Sequence, residues 1–272
     1  MSVATSLRPF LNWGNVFTLF PRYNRETMQF KATPIRGLFN FIFLQWTFVY
    51  CLYNRLETHF MIFTRLQEVI VVITTSCLQL LVSLTILGSF RWNVSRMQKI
   101  FDTFNSIDAI LSTQNISNDG RLKRTNFFLL WMHLVFFGMC TVDVIIWSRN
   151  LPVYKYHYMM YDQITMYLVF GTIIFEVLLL RHIRWRFESV NLVLNKPNCY
   201  APYYGVLVDL HSKCCDLVDI FNDMQGWNIF FTIIHLIMNM LICIQVILMK
   251  DIVWNASTIT QMFLWSLYMA VS

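Results

Sequence analysis

Apolar residues fall into six blocks, at roughly 35–54, 69–90, 127–147, 161–181, 228–249 and 258–272. Each of the first five has the ~20 residues a helix needs to cross the ~30 Å hydrocarbon core of a bilayer. The sixth offers about 15 residues, roughly 22 Å of helix, before the sequence reaches LYMAVS and Ser272. That block reads as an unfinished span, so a fragment or a truncated product is expected. The pattern predicts an all-α, polytopic transmembrane helical bundle with about six spans, over residues 35–272, preceded by an N-terminal arm at 1–34. The arm mixes Leu7, Phe10, Leu11, Trp13 and Phe17 with polar residues, which suits a segment lying on the membrane surface.

Two blocks continue beyond the bilayer. From Val206 to Met249 there is no proline and a single glycine, Gly226. The first half is amphipathic: Leu207, Leu210, Cys214, Leu217, Phe221 and Met224 step by three and four along one face, while Asp209, Asp216 and Asp223 recur on another. The second half is apolar all round. One helix is predicted, roughly 66 Å long, with its 206–227 part in water. After Leu180 the run RHIRWRFESVNLVL keeps Ile183, Phe187, Val190 and Leu194 in helical register until Lys196-Pro197-Asn198 breaks it. A cytosolic helix pair, 181–194 and 206–227, is therefore expected. Its Leu207, Leu210, Leu217, Phe221 and Met224 seam is the candidate assembly surface.

Composition agrees with the blocks: of 272 residues 57% are hydrophobic and 13% charged, against about 25% charged in soluble domains. The net charge of +6 is an orientation signal and not a nucleic-acid footprint. Lys and Arg number five in the N-terminal arm, six in 91–126 and five in 181–227, leaving five for the other side. Positive charge stays in the cytoplasm, so the N-terminus is expected inside, with short outer loops and a plasma-membrane location. No secretory signal precedes the first block, which then acts as its own insertion signal.

Candidate chemistry is sparse. None of the seven cysteines falls in an outer loop, so no disulfide framework is expected. Cys214-Cys215 with His211 and Asp216 lacks zinc spacing and reads as helix packing; no metal and no cofactor is expected. Scattered single His, Asp and Glu residues do not make an active site, so no catalytic residue and no enzyme activity is expected. His133 and His235 read as hydrogen-bonded packing residues, Glu176 as packed near a basic partner. A small molecule entering from outside would meet the outer halves of the spans, where Thr75, Gln79, Asp143, Trp147, Tyr161 and Tyr167 combine aromatic walls with a few polar groups. Trp and Tyr also collect at membrane interfaces without binding anything. Of three N-x-S/T sequons, only the one at Asn255 falls outside, making it the candidate glycosylation site.

The segments LLLRHIRWRFESVNLVL and LHSKCCDLVDIFNDMQGWNIFF resemble the insect gustatory receptor family. The fourth span runs into an Arg-bearing helix with Val190-Asn191-Leu192, and Cys214 to Asn222 leads into the fifth span. The sharp residues lie in 176–231, while the general pattern covers most of the chain. The resemblance implies a seven-span, ligand-gated cation channel subunit that binds a small-molecule tastant. It further implies a homo- or hetero-tetramer with other gustatory receptor subunits, joined through a cytosolic helical anchor, with the last span lining the pore. That family's closing Thr-Tyr and Gln-Phe pairs are absent here. Which tastant is sensed is not written in these residues.

Two other classes fit less well. A G-protein-coupled-type receptor would place its N-terminus outside and carry Asp-Arg-Tyr-like and Asn-Pro-x-x-Tyr motifs, and neither motif is present. A secondary transporter would show inverted repeats and Gly- or Pro-broken spans. The channel reading predicts that the transcript beyond the Ser272 codon encodes a further apolar span bearing Thr-Tyr and Gln-Phe. Sequencing that reads an intact frame into a stop codon there would leave a product without a pore helix.

Overall fold

The computed structural model describes residues 3–59, 65–113, 156–194 and 204–248, together with eight separate positions between 130 and 145. These residues are mostly helical. The helices are α1 (Val3–Val16), α2 (Pro34–His59), α3 (Arg65–Arg91), α4 (Asn93–Thr113), α5 (Tyr156–Leu194) and α6 (Tyr204–Leu248). Positions 130, 133, 134, 136–138, 141 and 145, inside the third apolar block, are helical as well. Among the described residues three stretches are long and apolar enough to cross a membrane: Pro34–Asn54, Val72–Arg91 and Gln163–Val193. The sixth block lies outside the described residues.

The chain divides into two compact units. The first comprises Met1–Gly37, Leu87–Phe128 and Thr172–Gly226; the second comprises Leu38–Ile86, Leu129–Gly171 and Trp227–Ser272. The first unit holds sixteen of the chain's 21 Lys and Arg residues. Both α5 and α6 contribute residues to each unit. They are 39 and 45 residues long, about 58 and 68 Å at 1.5 Å per residue. Neither could be contained in a ~30 Å hydrocarbon layer if it crossed that layer upright. α5 keeps its helical course as far as Leu194, well past the end of the fourth apolar block. α2 opens on Thr33-Pro34, a capping residue followed by a ring whose fixed φ suits the first helical turn.

Within the first unit, the N-terminal arm departs from the surface-lying segment expected of it. Leu7, Phe10, Leu11, Leu19 and Phe20 are buried in protein. The amphipathic stripe that suits a lipid interface has found an apolar protein partner instead, and Phe20 packs against Phe175 of α5 with ring centroids 4.1 Å apart. α1 ends in a tight turn in which the Leu19 amide donates to the Gly14 carbonyl at 2.8 Å. A Cβ at position 14 would overlap the Phe20 ring, so only glycine fits there.

A small antiparallel hairpin follows, β1 (Arg22–Asn24) and β2 (Gln29–Lys31), with Tyr23 opposite Phe30. Its loop is set by Asn24, whose side-chain oxygen accepts from the Glu26 amide at 3.0 Å, and by Met28 with a positive φ of 52°. Two strands alone are marginal in water; this pair is fastened to α4. The Phe30 amide donates to Gln98 Oε1 at 2.9 Å, Gln98 Nε2 donates to the Met28 carbonyl at 3.3 Å, and the Phe30 and Phe101 rings lie 5.0 Å apart. α4 itself is amphipathic, burying Asn93, Met97, Ile100, Phe101, Phe104, Ile107 and Leu111 along one face.

Leu11 is essentially inaccessible, so Leu11→Ala is expected to cost about 2–5 kcal/mol, seen as a lowered melting temperature of the detergent-solubilised protein. Arg25→Ala, in the exposed hairpin loop, should stay within about 0.5 kcal/mol of wild type. An arm that rests on lipid alone would leave both variants melting together.

Candidate functional site

The residues expected to meet a small molecule separate into two groups within the second unit. On α3, Thr75 and Gln79 are four residues apart and share a face; Thr75 is half-buried and Gln79 is buried. The Tyr161 hydroxyl, from α5, donates to Gln79 Oε1. Gln79 Nε2 reaches the Leu44 carbonyl of α2 at 3.5 Å, and Gln45 of α2 donates to Ser83 of α3. In an apolar surrounding, each of these polar groups must be satisfied inside the protein. The cluster therefore ties three helices together through side chains that would be costly to leave unpaired.

Tyr167 belongs to the other group. Six residues from Tyr161 is about 600° of helical rotation, so the two rings leave α5 on different faces. Tyr167 packs among His133, Phe136 and Phe137, with centroids 6.0, 5.4 and 5.1 Å away. Phe136 in turn stacks on Phe170 at 4.8 Å. The result is an aromatic wall with one imidazole in it. His235, on α6, is buried. Asp143, Trp147 and Asn255 lie outside the described residues.

The seam on α6 is buried throughout: Leu207, Leu210, Cys214, Leu217, Phe221 and Met224 are all covered in a single copy of the chain. Their cover is therefore intramolecular, where the sequence pattern had them awaiting a neighbouring subunit. Among the described residues of 181–194 and 206–227, the large apolar side chains left exposed are Leu192, Val206, Val208 and Trp227. Cys214 and Cys215 are turned apart by about 100°. Cys214 is buried, and burial pushes its thiol up to about 11 against the opposing pull of Arg186. Cys215 is exposed, with its sulfur 3.7 Å from His211 Nδ1. Among the described residues no three His, Cys, Asp or Glu side chains converge as metal ligands would.

The most demanding chemistry in the first unit involves a residue that charge counting treated as one more orienting cation. The Arg186 side chain is 0% exposed. Its Nη2 donates to both oxygens of Asp108 on α4, at 2.8 and 2.7 Å, and its Nη1 donates to the His182 carbonyl at 2.8 Å. The guanidinium carbon sits 4.0 Å from the Phe104 ring centroid and 5.4 Å from that of Trp185. Nε has no hydrogen-bond partner among the described residues. Burial pushes the Asp108 carboxyl above its ordinary value, and the neighbouring Arg186 charge pulls it back only in part. His182 extends the cluster to the N-terminal arm, its Nε2 lying 3.4 Å from Ser6 Oγ.

One signal in the sequence marks Arg186. It follows Ile183 by three residues and precedes Val190 by four, so it stands on the apolar stripe of RHIRWRFESVNLVL; Arg184 points the other way and pairs with Glu188 at 2.9 Å. Asp108 carries no comparable signal beyond its place beside Ile107 on the buried face of α4.

Asp108→Ala strands a buried guanidinium and is expected to destabilise by about 3–5 kcal/mol. Asp108→Leu combined with Arg186→Met removes both charges and should recover most of that loss, with chemical unfolding as the readout. Additive losses in the double variant would contradict a paired charge. No protein-family model matches the chain, and no curated protein matches it.

Proposed function

We propose that this chain is a subunit of a chemosensory, ligand-gated cation channel of the insect gustatory receptor type, acting in the plasma membrane and gated by a small-molecule tastant from outside the cell. The observation that carries the reading is the stretch 176–231. It joins an Arg-bearing helix that leaves the fourth apolar block to a second helix that enters the fifth. The continuity of α5 and α6 supports it, because a pair of helices too long for the bilayer is what a cytosolic anchor requires.

In this reading the chain is a bundle of about six spans, with its N-terminus and the first unit in the cytoplasm. The concentration of sixteen Lys and Arg residues in that unit supports the orientation. The tastant meets the outer parts of the spans, with Tyr161–Gln79 and the Tyr167 aromatic wall as recognition elements; Thr75, Asp143 and Trp147 complete the candidate set. Asn255 carries a glycan on the outer side. Assembly with other gustatory receptor subunits uses apolar positions that remain exposed on the helix pair, Leu192, Val206 and Val208, and not the seam that the chain itself covers.

The decisive experiment combines topology and response. An epitope at the N-terminus should react with antibody only after permeabilisation, and glycosidase should shift wild type but not Asn255→Gln. Cells expressing the chain with partner gustatory subunits should show tastant-evoked calcium entry, weakened by Tyr161→Phe or Gln79→Ala. An epitope reached on intact cells, with a glycan at Asn115, would favour the G-protein-coupled-type alternative. Correct topology without any evoked current across sugar and bitter panels would remove the channel function.

A further inference from the structure

The first turn of α2 and the last turn of α3 are both fastened to one short turn of the N-terminal arm. Arg36 Nη2 donates to the Val16 carbonyl at 2.8 Å, and Ser89 Oγ donates to the Thr18 carbonyl. Thr18 holds a positive φ of 55°, which keeps that turn tight enough to serve both. The two helix ends also touch directly. A Cβ at Gly37 would overlap the Phe90 ring, so glycine is what permits the approach. Arg36 and Arg91 flank this contact, and both are exposed.

The chain to either side of these two arginines is one-sided in charge. Among the described residues neither guanidinium is in an ion pair. The acid nearest to Arg36 in the chain is Glu26, and between Glu68 and Asp102 there is no carboxylate at all. Beside the two arginines stand apolar side chains left open: Ile35 at 87% exposure, Val16 at 54% and Trp92 at 40%. Two apolar stretches, Pro34–Asn54 and Val72–Arg91, respectively begin and end at this edge. An uncompensated cation pair, an indole and aliphatic side chains at the mouth of two spans match a lipid with a negative head and an apolar body.

We propose that Arg36 and Arg91 form a binding site for the phosphate headgroup of an anionic phospholipid, with Ile35, Val16 and Trp92 against its glycerol and upper acyl region. The two guanidinium groups supply planar, fork-like donors that phosphate oxygens accept. Gly37 sets the spacing by letting the helix ends close. The inference needs only that the two apolar stretches span a membrane; it does not depend on the receptor assignment.

The test uses the full chain in a non-ionic detergent, with phosphatidylserine or phosphatidylcholine added and binding followed by native mass spectrometry and by melting temperature. Phosphatidylserine should bind and raise the melting temperature, and added salt should weaken it as exposed charges are screened. Phosphatidylcholine should do neither. Arg36→Gln with Arg91→Gln should weaken phosphatidylserine about five-fold for each arginine lost. Arg36→Lys with Arg91→Lys should retain most of the preference, and Arg25→Gln should retain all of it. Equal binding of both lipids, salt-independent binding, or an unchanged preference in the Gln pair would each overturn the proposal. Protection by inorganic phosphate equal to that by phosphatidylserine would overturn the lipid as its source. If the Gln pair does not fold, the wild-type salt series and the Lys pair still decide.

Discussion

A guanidinium with no exposed surface must be given its hydrogen bonds and its counter-charge by the protein. Arg186 is in that position, and the first unit is arranged around meeting its demand. α4 brings Asp108 and the face of Phe104, and α5 supplies the His182 carbonyl one turn back. Apolar packing alone would tolerate α4 sliding along α5, since one aliphatic contact replaces another at little cost. The Asp108–Arg186 pair removes that freedom, because only one register seats the carboxylate on Nη2. Among the described residues the guanidinium is satisfied at Nη1 and Nη2 and has no partner for Nε.

In the second unit a parallel rule works with neutral groups. Gln79, Tyr161, Gln45 and Ser83 are linked to one another or to backbone, and they sit among apolar side chains that discriminate poorly between helix positions. Such polar ties are modest in energy but specific in place. Tyr161 thereby serves packing, its hydroxyl held by Gln79. Tyr167 works differently, contributing aromatic area packed against Phe136 and Phe137.

How much of this was legible beforehand depended on periodicity. The continuation of the fourth block as a helix through 181–194, and the single rod from the amphipathic half of α6 into its apolar half, follow from residue spacing, and α5 and α6 show both. The hairpin did not announce itself: each strand has three residues, too few for alternation to rise above chance, and its stability comes from Gln98 and Phe101 far along the chain. The arm misled for a related reason. A stripe of Leu7, Phe10 and Leu11 satisfies lipid and protein equally, and nothing local says which will cover it. Arg186 was legible only by its place on an apolar stripe, because a count of positive charges weighs a buried cation like any other. The candidate ligand residues were the least legible, since tyrosine beside a membrane answers equally to interface, packing and ligand.

The burial of the N-terminal arm has a consequence for biosynthesis. Phe20 is covered by Phe175, Ser6 approaches His182, and Phe30 waits for Gln98. The arm is thus made well before Thr172–Gly226, the stretch of its own unit that completes its cover. At about 5–20 residues per second, the arm is without its partners for on the order of ten seconds or more. During that interval its greasy side chains are open to any chaperone, membrane surface or neighbouring nascent chain. Closure of the unit therefore waits on the helix that continues from the fourth apolar block, which supplies Phe175 and His182.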